Sequence, residues 1–447
     1  MRRKLLLLGI AVAFGLGGRA TAQAAIVPGS PIRHVVIIFQ ENHSFDDVFG
    51  VLCQERVAGA KRCDGSTTGV LGDGTVIPLG HEADIVPSVG HNGGGQLMAI
   101  NGGLMNGFQK VSGCAAPENR CYVQYQPSDI PNLSRLARTY AISDRTFETV
   151  AAPSWLGHET LVSATPDGFA LKPGRNPTAG TAGTVGLGWG CDSLKDVEWV
   201  QPQTKSVIRV PSCVPMQNGS GPYKPSPVQW VPTIMDRLDA NQISWNIFSG
   251  NSKPGIWAIC PTFADCQSTA QKAKQLYARD FLPAAAGTLP AVSLVMPTAA
   301  NSQHNGDSML QGDNWIQSLV KAVANGPNWS STAIFITYDD CGCFYDHVAP
   351  PPGSSLGIRV PMVIVSPYAK AAFTDSSTGS FASMLAFIEH NWQIPALNSV
   401  DGTAYDYRNS FNYLQIPVAP ARLTPHRVPA WELAYIRAHP FDEDDPT

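Results

Sequence analysis

Five stretches of the chain are apolar at nearly every position: residues 34–39 (HVVIIF), 243–248, 291–296, 333–338 (AIFITY) and 361–365. A strand with one face in water alternates apolar and polar residues. Unbroken runs of this length, rich in β-branched and aromatic residues, predict strands buried on both faces. Segments with helical spacing lie between them. Residues 131–140 open with proline and set Leu133, Leu136 and Tyr140 along one side, and residues 233–241, 313–324 and 381–392 repeat the pattern. Strands alternating with helices predict an α/β fold, a three-layer α/β/α sandwich around a mostly parallel central sheet. Stretches rich in proline and glycine, at 165–190 and 200–230, read as long excursions from that sheet. The segment from about 395 reads as a C-terminal tail, with residues 442–447 frayed.

The first 24 residues follow a different pattern. Arg2, Arg3 and Lys4 precede an apolar run from Leu5 to Gly18, and Ala22-Gln23-Ala24 has the small-x-small form of a signal-peptidase site. The run is too short to span a bilayer. Residues 1–24 are therefore expected to be a signal peptide and residues 25–447 a single exported domain, secreted or periplasmic. No transmembrane segment is expected after cleavage. The charged fraction is 15%, and the formal net charge of -4 argues against a nucleic-acid partner. Gly and Pro number 41 and 36 in 447 residues, which predicts much loop.

Ten cysteines suit an oxidising compartment. They fall as near neighbours: Cys53/Cys63, Cys114/Cys121, Cys191/Cys213, Cys260/Cys266 and Cys341/Cys343. Each pair would staple a local loop, although spacing alone leaves the connectivity open. Cys341-Gly342-Cys343 is the least favourable pair, because one intervening residue makes a strained ring. Zinc is the alternative use of such cysteines, but no paired C-x-x-C motifs occur.

In an open α/β sheet the chemistry gathers beyond the carboxyl ends of the strands. The run at 34–39 is followed by Glu41-Asn42-His43-Ser44-Phe45-Asp46, the run at 333–338 by Asp339-Asp340, and the run at 291–296 by Gln303-His304. Two carboxylates about 4 Å apart repel by roughly 4 kcal/mol at an effective dielectric near 20. Converging carboxylates therefore call for a cation or a proton. Glu41, Asn42, Asp339 and Asp340 offer only oxygen, which favours Mg, Ca or Mn over Zn. The competing reading makes Asn42 or Ser44 a helix cap and leaves Asp339 and Asp340 in a solvated turn. An H-E-x-x-H helix and a Walker-A loop are both absent. His158-Glu159 runs into Thr-Leu-Val and is no metalloprotease motif. Cys213-Val-Pro-Met-Gln217 lacks the arginine of the sulfatase pattern.

Glu41–Gly50, E-N-H-S-F-D-D-V-F-G, resembles the E-N-R-S-F-D-x-x-F-G signature of the phosphoesterase family, which holds bacterial and plant phospholipases C and secreted acid phosphatases. Further blocks follow in the family's order. His91 with the stretch 101–108 (NGGLMNGF) is similar to N-G-G-x-M-D-G-F. Residues 337–348 (TYDDCGCFYDHV) are similar to T-Y-D-E-H-G-G-F-Y-D-H-V, and residues 357–361 through 366–368 to G-x-R-V-P…S-P-Y. The resemblance covers about residues 34–370 and implies an alkaline-phosphatase-like fold. The family's P-x-T-x-P-N-R nucleophile segment lies upstream of an apolar stretch ending S-A-T. Counting back from Ser163-Ala164-Thr165 sets Ser154 at the nucleophile position, with Leu-Gly-His where Pro-Asn-Arg is usual. Cys341 stands where His is common, and Asp340 where Glu is.

The resemblance implies one divalent metal ion held by Glu41, Asn42, Asp339 and Asp340, with Ser154 as nucleophile. His91 and His304 become candidates for contacting the phosphoryl group and protonating the leaving group, and His347 for orienting the loop behind the ligands. The expected partner is a phosphate ester, with phospholipid as its lipid case. The expected enzyme is a phospholipase C-like phosphodiesterase. The alternatives are a broad-specificity acid phosphatase on the same site and, from another class, an exported binding protein without turnover. Trp155 and the tryptophans near 189 and 198 are the candidates for an apolar cleft admitting a diester.

Overall fold

The computed structural model describes residues 27–169, 189–251 and 257–440. The expected signal peptide, much of the first excursion and residues 442–447 lie outside the described residues.

An eight-stranded sheet forms the centre. In chain order its strands are β1 (His34–Gln40), β2 (Ala141–Ser143), β3 (Trp245–Phe248), β4 (Gln275–Leu276), β5 (Val292–Val295), β6 (Thr332–Tyr338), β7 (Met362–Val365) and β8 (Thr374–Asp375). Across the sheet they run β4-β3-β5-β1-β6-β7-β2-β8. Neighbours are parallel from β4 to β6, β7 is antiparallel to both β6 and β2, and β8 is parallel to β2. All five predicted strands are present. The three the pattern did not predict are edge or near-edge strands of two or three residues, too short for a periodic signal.

The principal helices are α1 (Phe45–Phe49), α2 (Gly93–Ile100), α3 (Pro131–Thr139), α4 (Ser154–Ser163), α5 (Ile234–Ala240), α6 (Met309–Asn325), α7 (Phe381–Trp392) and α8 (Ala430–Ala438). Every residue of β6 is buried, and β1 is buried except at His34. Fully buried strands need cover on both faces. α3 packs with α6 and α4 packs with α7. On the α7 side Phe39 meets Phe381 and Phe335 meets Phe387, both edge-on at 5.1 Å between ring centroids. The excursion after 189 contains an antiparallel hairpin, Asp196–Val200 with Val207–Pro211.

Four of the five expected cysteine pairs are disulfides: Cys53–Cys63, Cys114–Cys121, Cys191–Cys213 and Cys260–Cys266. Cys213 is thus a structural cysteine. The fifth pair is corrected: Cys341 and Cys343 are free, buried thiols. Gly342 and Cys343 both take left-handed φ angles, 56° and 51°, and the Cys343 amide donates to Cys341 Sγ at 3.1 Å. The tight turn is closed by hydrogen bonds in place of an S–S bond.

Candidate active site

Three adjacent strands deliver the candidate residues. β1 lies between β5 and β6, with Ile38 opposite Val295 and Gln40 opposite Tyr338. Residues that follow these strands must emerge side by side. Glu41 and Asn42 leave β1, Asp339 and Asp340 leave β6, and the chain after β5 turns back to bring Gln303 and His304 beside them. The Glu41 amide donates to Ser302 O at 3.0 Å, and the Asp339 amide to Gln40 O at 2.9 Å. Gln303 has a φ of 66°; its side-chain carbonyl accepts from Gln40 (3.1 Å) and Tyr338 (2.6 Å), and its amide donates to Met309 O. The loop bearing His304 is thereby fastened to the ends of β1 and β6.

The competing reading of Asn42 and Ser44 resolves cleanly. Ser44 is the cap of α1, accepting from the Asp47 amide. Asn42 is released for another role: its φ of 62° turns the side chain inward, and its amide N–H donates to Asp339 Oδ1 at 3.0 Å. An asparagine tolerates this backbone region better than most residues. Asn42 Nδ2 reaches His91 Nε2 at 2.5 Å and Ser154 Oγ at 3.4 Å. His91 Nδ1 donates to Val89 O at 2.6 Å, which leaves Nε2 as the acceptor in the neutral ring.

Ser154 is the first residue of α4, directly after Pro153. Its hydroxyl donates to Asp340 Oδ2 at 3.3 Å. The positive end of the helix dipole favours negative charge on that oxygen. α4 approaches β6 closely because residue 157 is glycine; a Cβ there would stand 2.7 Å from Asp339 O. Gln96 of α2 bonds both His91 O and Ala152 O, tying the histidine to the segment that precedes the serine.

His158 is the residue that sequence reasoning missed. It lies one helical turn beyond Ser154, so both project from one side of α4. Its Nε2 stands 2.9 Å from Glu41 Oε1 and 3.9 Å from Asp339 Oδ2. Burial pushes it down to about 4, against the pull of Asp339. The i, i+4 spacing from a candidate nucleophile was the available signal. Trp257 was also unassigned; its indole stacks on His304 at 5.8 Å, and His304 is 5.7 Å from His91 between ring centroids.

All four expected metal ligands are fully buried. Burial, followed by Asp339 and then Asp340, raises the Glu41 carboxyl well above its usual range, while contact with Ser154 lowers it. Burial, then Asp339 and Glu148, raises Asp340 likewise. Glu41 Oε2, Asn42 Oδ1, Asp339 Oδ2 and His158 Nδ1 are buried without hydrogen-bond partners. Orphaned acceptors among crowded carboxyls fit a bound cation. Glu41, His158 and Asp339 present ligand atoms within 4.8 Å of one another. The imidazole alters the oxygen-only argument, since imidazole nitrogen also suits transition metals.

His347 stands in a separate cluster. Its Nδ1 pairs with Asp46 Oδ2 at 2.5 Å and its Nε2 with Asp64 Oδ1 at 3.1 Å. Asp46, Asp346 and His347 also converge, but Arg359 binds Asp346 through two nitrogens (2.9 and 3.1 Å) and Asp46 at 3.3 Å. The guanidinium supplies the positive charge there. The tryptophans expected to line an apolar cleft are packed instead. Trp155 lies against Phe169 and Trp189 with its indole N–H on Thr262, and Trp199 is buried.

The Phosphoesterase family matches residues 32–395, and the chain belongs to that family, a family of phosphoric ester hydrolases. It is 26% identical over 416 residues to the non-hemolytic phospholipase C of Burkholderia pseudomallei, covering 80% of this chain and 55% of that protein. The chain thus spans about half the length of that relative. It is 24% identical over 445 residues to phospholipase C A of Mycobacterium tuberculosis, covering 86% and 78% respectively. With non-specific phospholipase C6 of Arabidopsis thaliana it shares 23% over 454 residues, 88% and 77%. Among solved structures, a protein of the alkaline phosphatase superfamily from Vibrio parahaemolyticus aligns at 12% identity with a TM-score of 0.38, covering 86% of this chain and 71% of that one.

Proposed function

We propose that this protein is an exported, metal-dependent phosphodiesterase of the phospholipase C type, acting through Ser154. One observation carries the reading: Ser154 Oγ, at the start of a helix, lies within reach of the Asp340 carboxylate and the Asn42 amide, beside buried carboxyl oxygens without partners. A divalent cation held by Glu41, Asn42, Asp339 and Asp340, with His158 alongside, would act as a Lewis acid and lower the serine's pKa. The chain's own residues do the rest. Asp340 accepts the hydroxyl proton, and Ser154 Oγ attacks phosphorus in line, forming a serine phosphodiester that keeps one ester arm of the substrate and expelling the other as an alcohol. His304 flanks the site as a proton donor to the leaving oxygen, and His91, whose Nε2 accepts from Asn42, holds that amide toward the phosphoryl group. Water then cleaves the serine–phosphorus ester, freeing Ser154 and releasing a phosphomonoester. Four disulfides support an oxidising compartment, and the relatives named phospholipase C support a diester substrate.

A second reading, a phosphomonoesterase on the same site, is favoured by the packing of Trp155 and Trp189 against each other, which withdraws them from a cleft for a diester's second arm. Hydrolysis of p-nitrophenyl phosphate beside p-nitrophenylphosphorylcholine, with and without EDTA, separates the two. Preference for the choline ester is expected. Preference for the monoester reverses the assignment, and turnover that survives exhaustive chelation refutes the metal.

A further inference from the structure

A second acidic site lies under the C-terminal helix. A cavity of about 400 Å³ is walled by the segment His81–Asp84, by Ser128 and Asp129, by Leu310 at the start of α6, and by Glu432 of α8. Three of its carboxylates already serve backbone or side-chain donors. Asp84 accepts from the Leu310 amide at 2.8 Å and from the Ser308 hydroxyl. Asp129 accepts from the Gln126 amide and from His81. Glu82 accepts from the Ala83 amide. Glu432 differs. It is 6% exposed, and its Oε2 is buried without a hydrogen-bond partner.

The carboxyl of Glu432 lies against that of Asp84, and burial together with this contact pushes it up to about 7; burial brings Glu82 to about 7 as well. Arg427 borders the cavity but is exposed, and among the described residues it makes no ion pair. Two touching carboxyls are held together by a shared proton or by a cation. The facing carboxyls of Glu432 and Asp84, in a cavity roomy enough for an ion that completes its shell with waters, match a hard divalent ion of variable coordination.

We propose that this cavity is a second cation site, separate from the one beside Ser154, and that it takes calcium, with Glu432 and Asp84 as its central ligands. The ion would fasten α8 to the segment 81–84 and to the N-terminus of α6. That segment also pairs with the strip after His304: Ile85 bridges Ser308, and the Gly306 amide donates to Val86 O. Calcium would therefore hold the loop that carries His304 without touching the reacting atoms.

The test is metal stoichiometry after equilibrium dialysis against CaCl₂, read by elemental mass spectrometry. Affinity should fall in the range of calcium modules of the extracellular space, roughly 10⁻⁴–10⁻³ M. A chain carrying Asp339→Asn and Asp340→Asn, which removes the proposed catalytic ligands, should still bind one calcium. Adding Glu432→Gln should weaken that binding by tenfold or more. Should the double variant fail to fold, the wild-type protein is compared with Glu432→Gln alone, which should lose one equivalent and the calcium-dependent rise in melting temperature. Equal calcium binding by the wild type and Glu432→Gln overturns the proposal, whatever becomes of the reading of Ser154.

Discussion

Glu41→Gln should move stability and activity in opposite directions. The ligand atoms of Glu41 and Asp339 lie within 4.8 Å of each other. Two full charges at that distance repel by about 3.5 kcal/mol at an effective dielectric of 20. Glutamine keeps the shape, still accepts from His158, and brings an N–H₂ toward the orphaned Asp339 Oδ2. In the metal-free protein the raised Glu41 carboxyl contributes stability that is present below its unfolded pKa and lost as pH rises through its folded one. The wild type therefore loses stability toward alkaline pH by an amount the variant is spared. Proton uptake already relieves part of the repulsion, which leaves a gain of about 1–2 kcal/mol at pH 8 and little at pH 5. For a chain of this size each kcal/mol is worth about 2 °C or less. The assay is thermal unfolding in EDTA at both pH values, paired with ester hydrolysis in the presence of metal, where the variant should lose about 10²-fold or more. A variant that melts no higher than wild type at pH 8, or whose gain is the same at both pH values, refutes carboxylate crowding as the organising stress of the site.

Three further outcomes are expected. Ser154→Ala should abolish turnover while shifting stability by about 1 kcal/mol or less, since two long hydrogen bonds, at 3.3 and 3.4 Å, are lost; residual activity above a few per cent points to another nucleophile. Gly157→Ala should push α4 away from β6, because its Cβ meets Asp339 O at 2.7 Å; a displacement approaching 1 Å costs about 10²-fold in kcat, and an unchanged kcat shows that the contact is relieved elsewhere. Peptide mapping of the unfolded, unreduced protein should find Cys341 and Cys343 alone alkylated; a Cys341–Cys343 disulfide contradicts the hydrogen-bonded turn.

Much of the sheet was legible because β1, β3, β5, β6 and β7 are buried on both faces, and burial writes itself as an unbroken apolar run. β2, β4 and β8 are too short to leave a period, and their pairing depends on contacts distant in sequence. The metal-ligand candidates were legible for a related reason. Glu41, Asn42, Asp339 and Asp340 directly follow two strong strands, so local sequence and the rule for strand ends bring them to one edge.

What the sequence alone determined is thus the α/β layering, the polar residues at the strand ends and the local cysteine pairs that close short loops. Each depends on residues close along the chain. Only the tertiary structure decided that Ser44, and not Asn42, caps α1; that His158 stands against Glu41 and Asp339; that Trp155 packs inward; and that Cys341 and Cys343 stay apart. These outcomes are set by how α4 crosses the ends of β1 and β6 and by what the turn after Asp340 must satisfy. The contacts that set His158 against Glu41 and Asn42 against Asp339 and Ser154 join residues more than a hundred positions apart, and the order of residues along the chain does not record such distances.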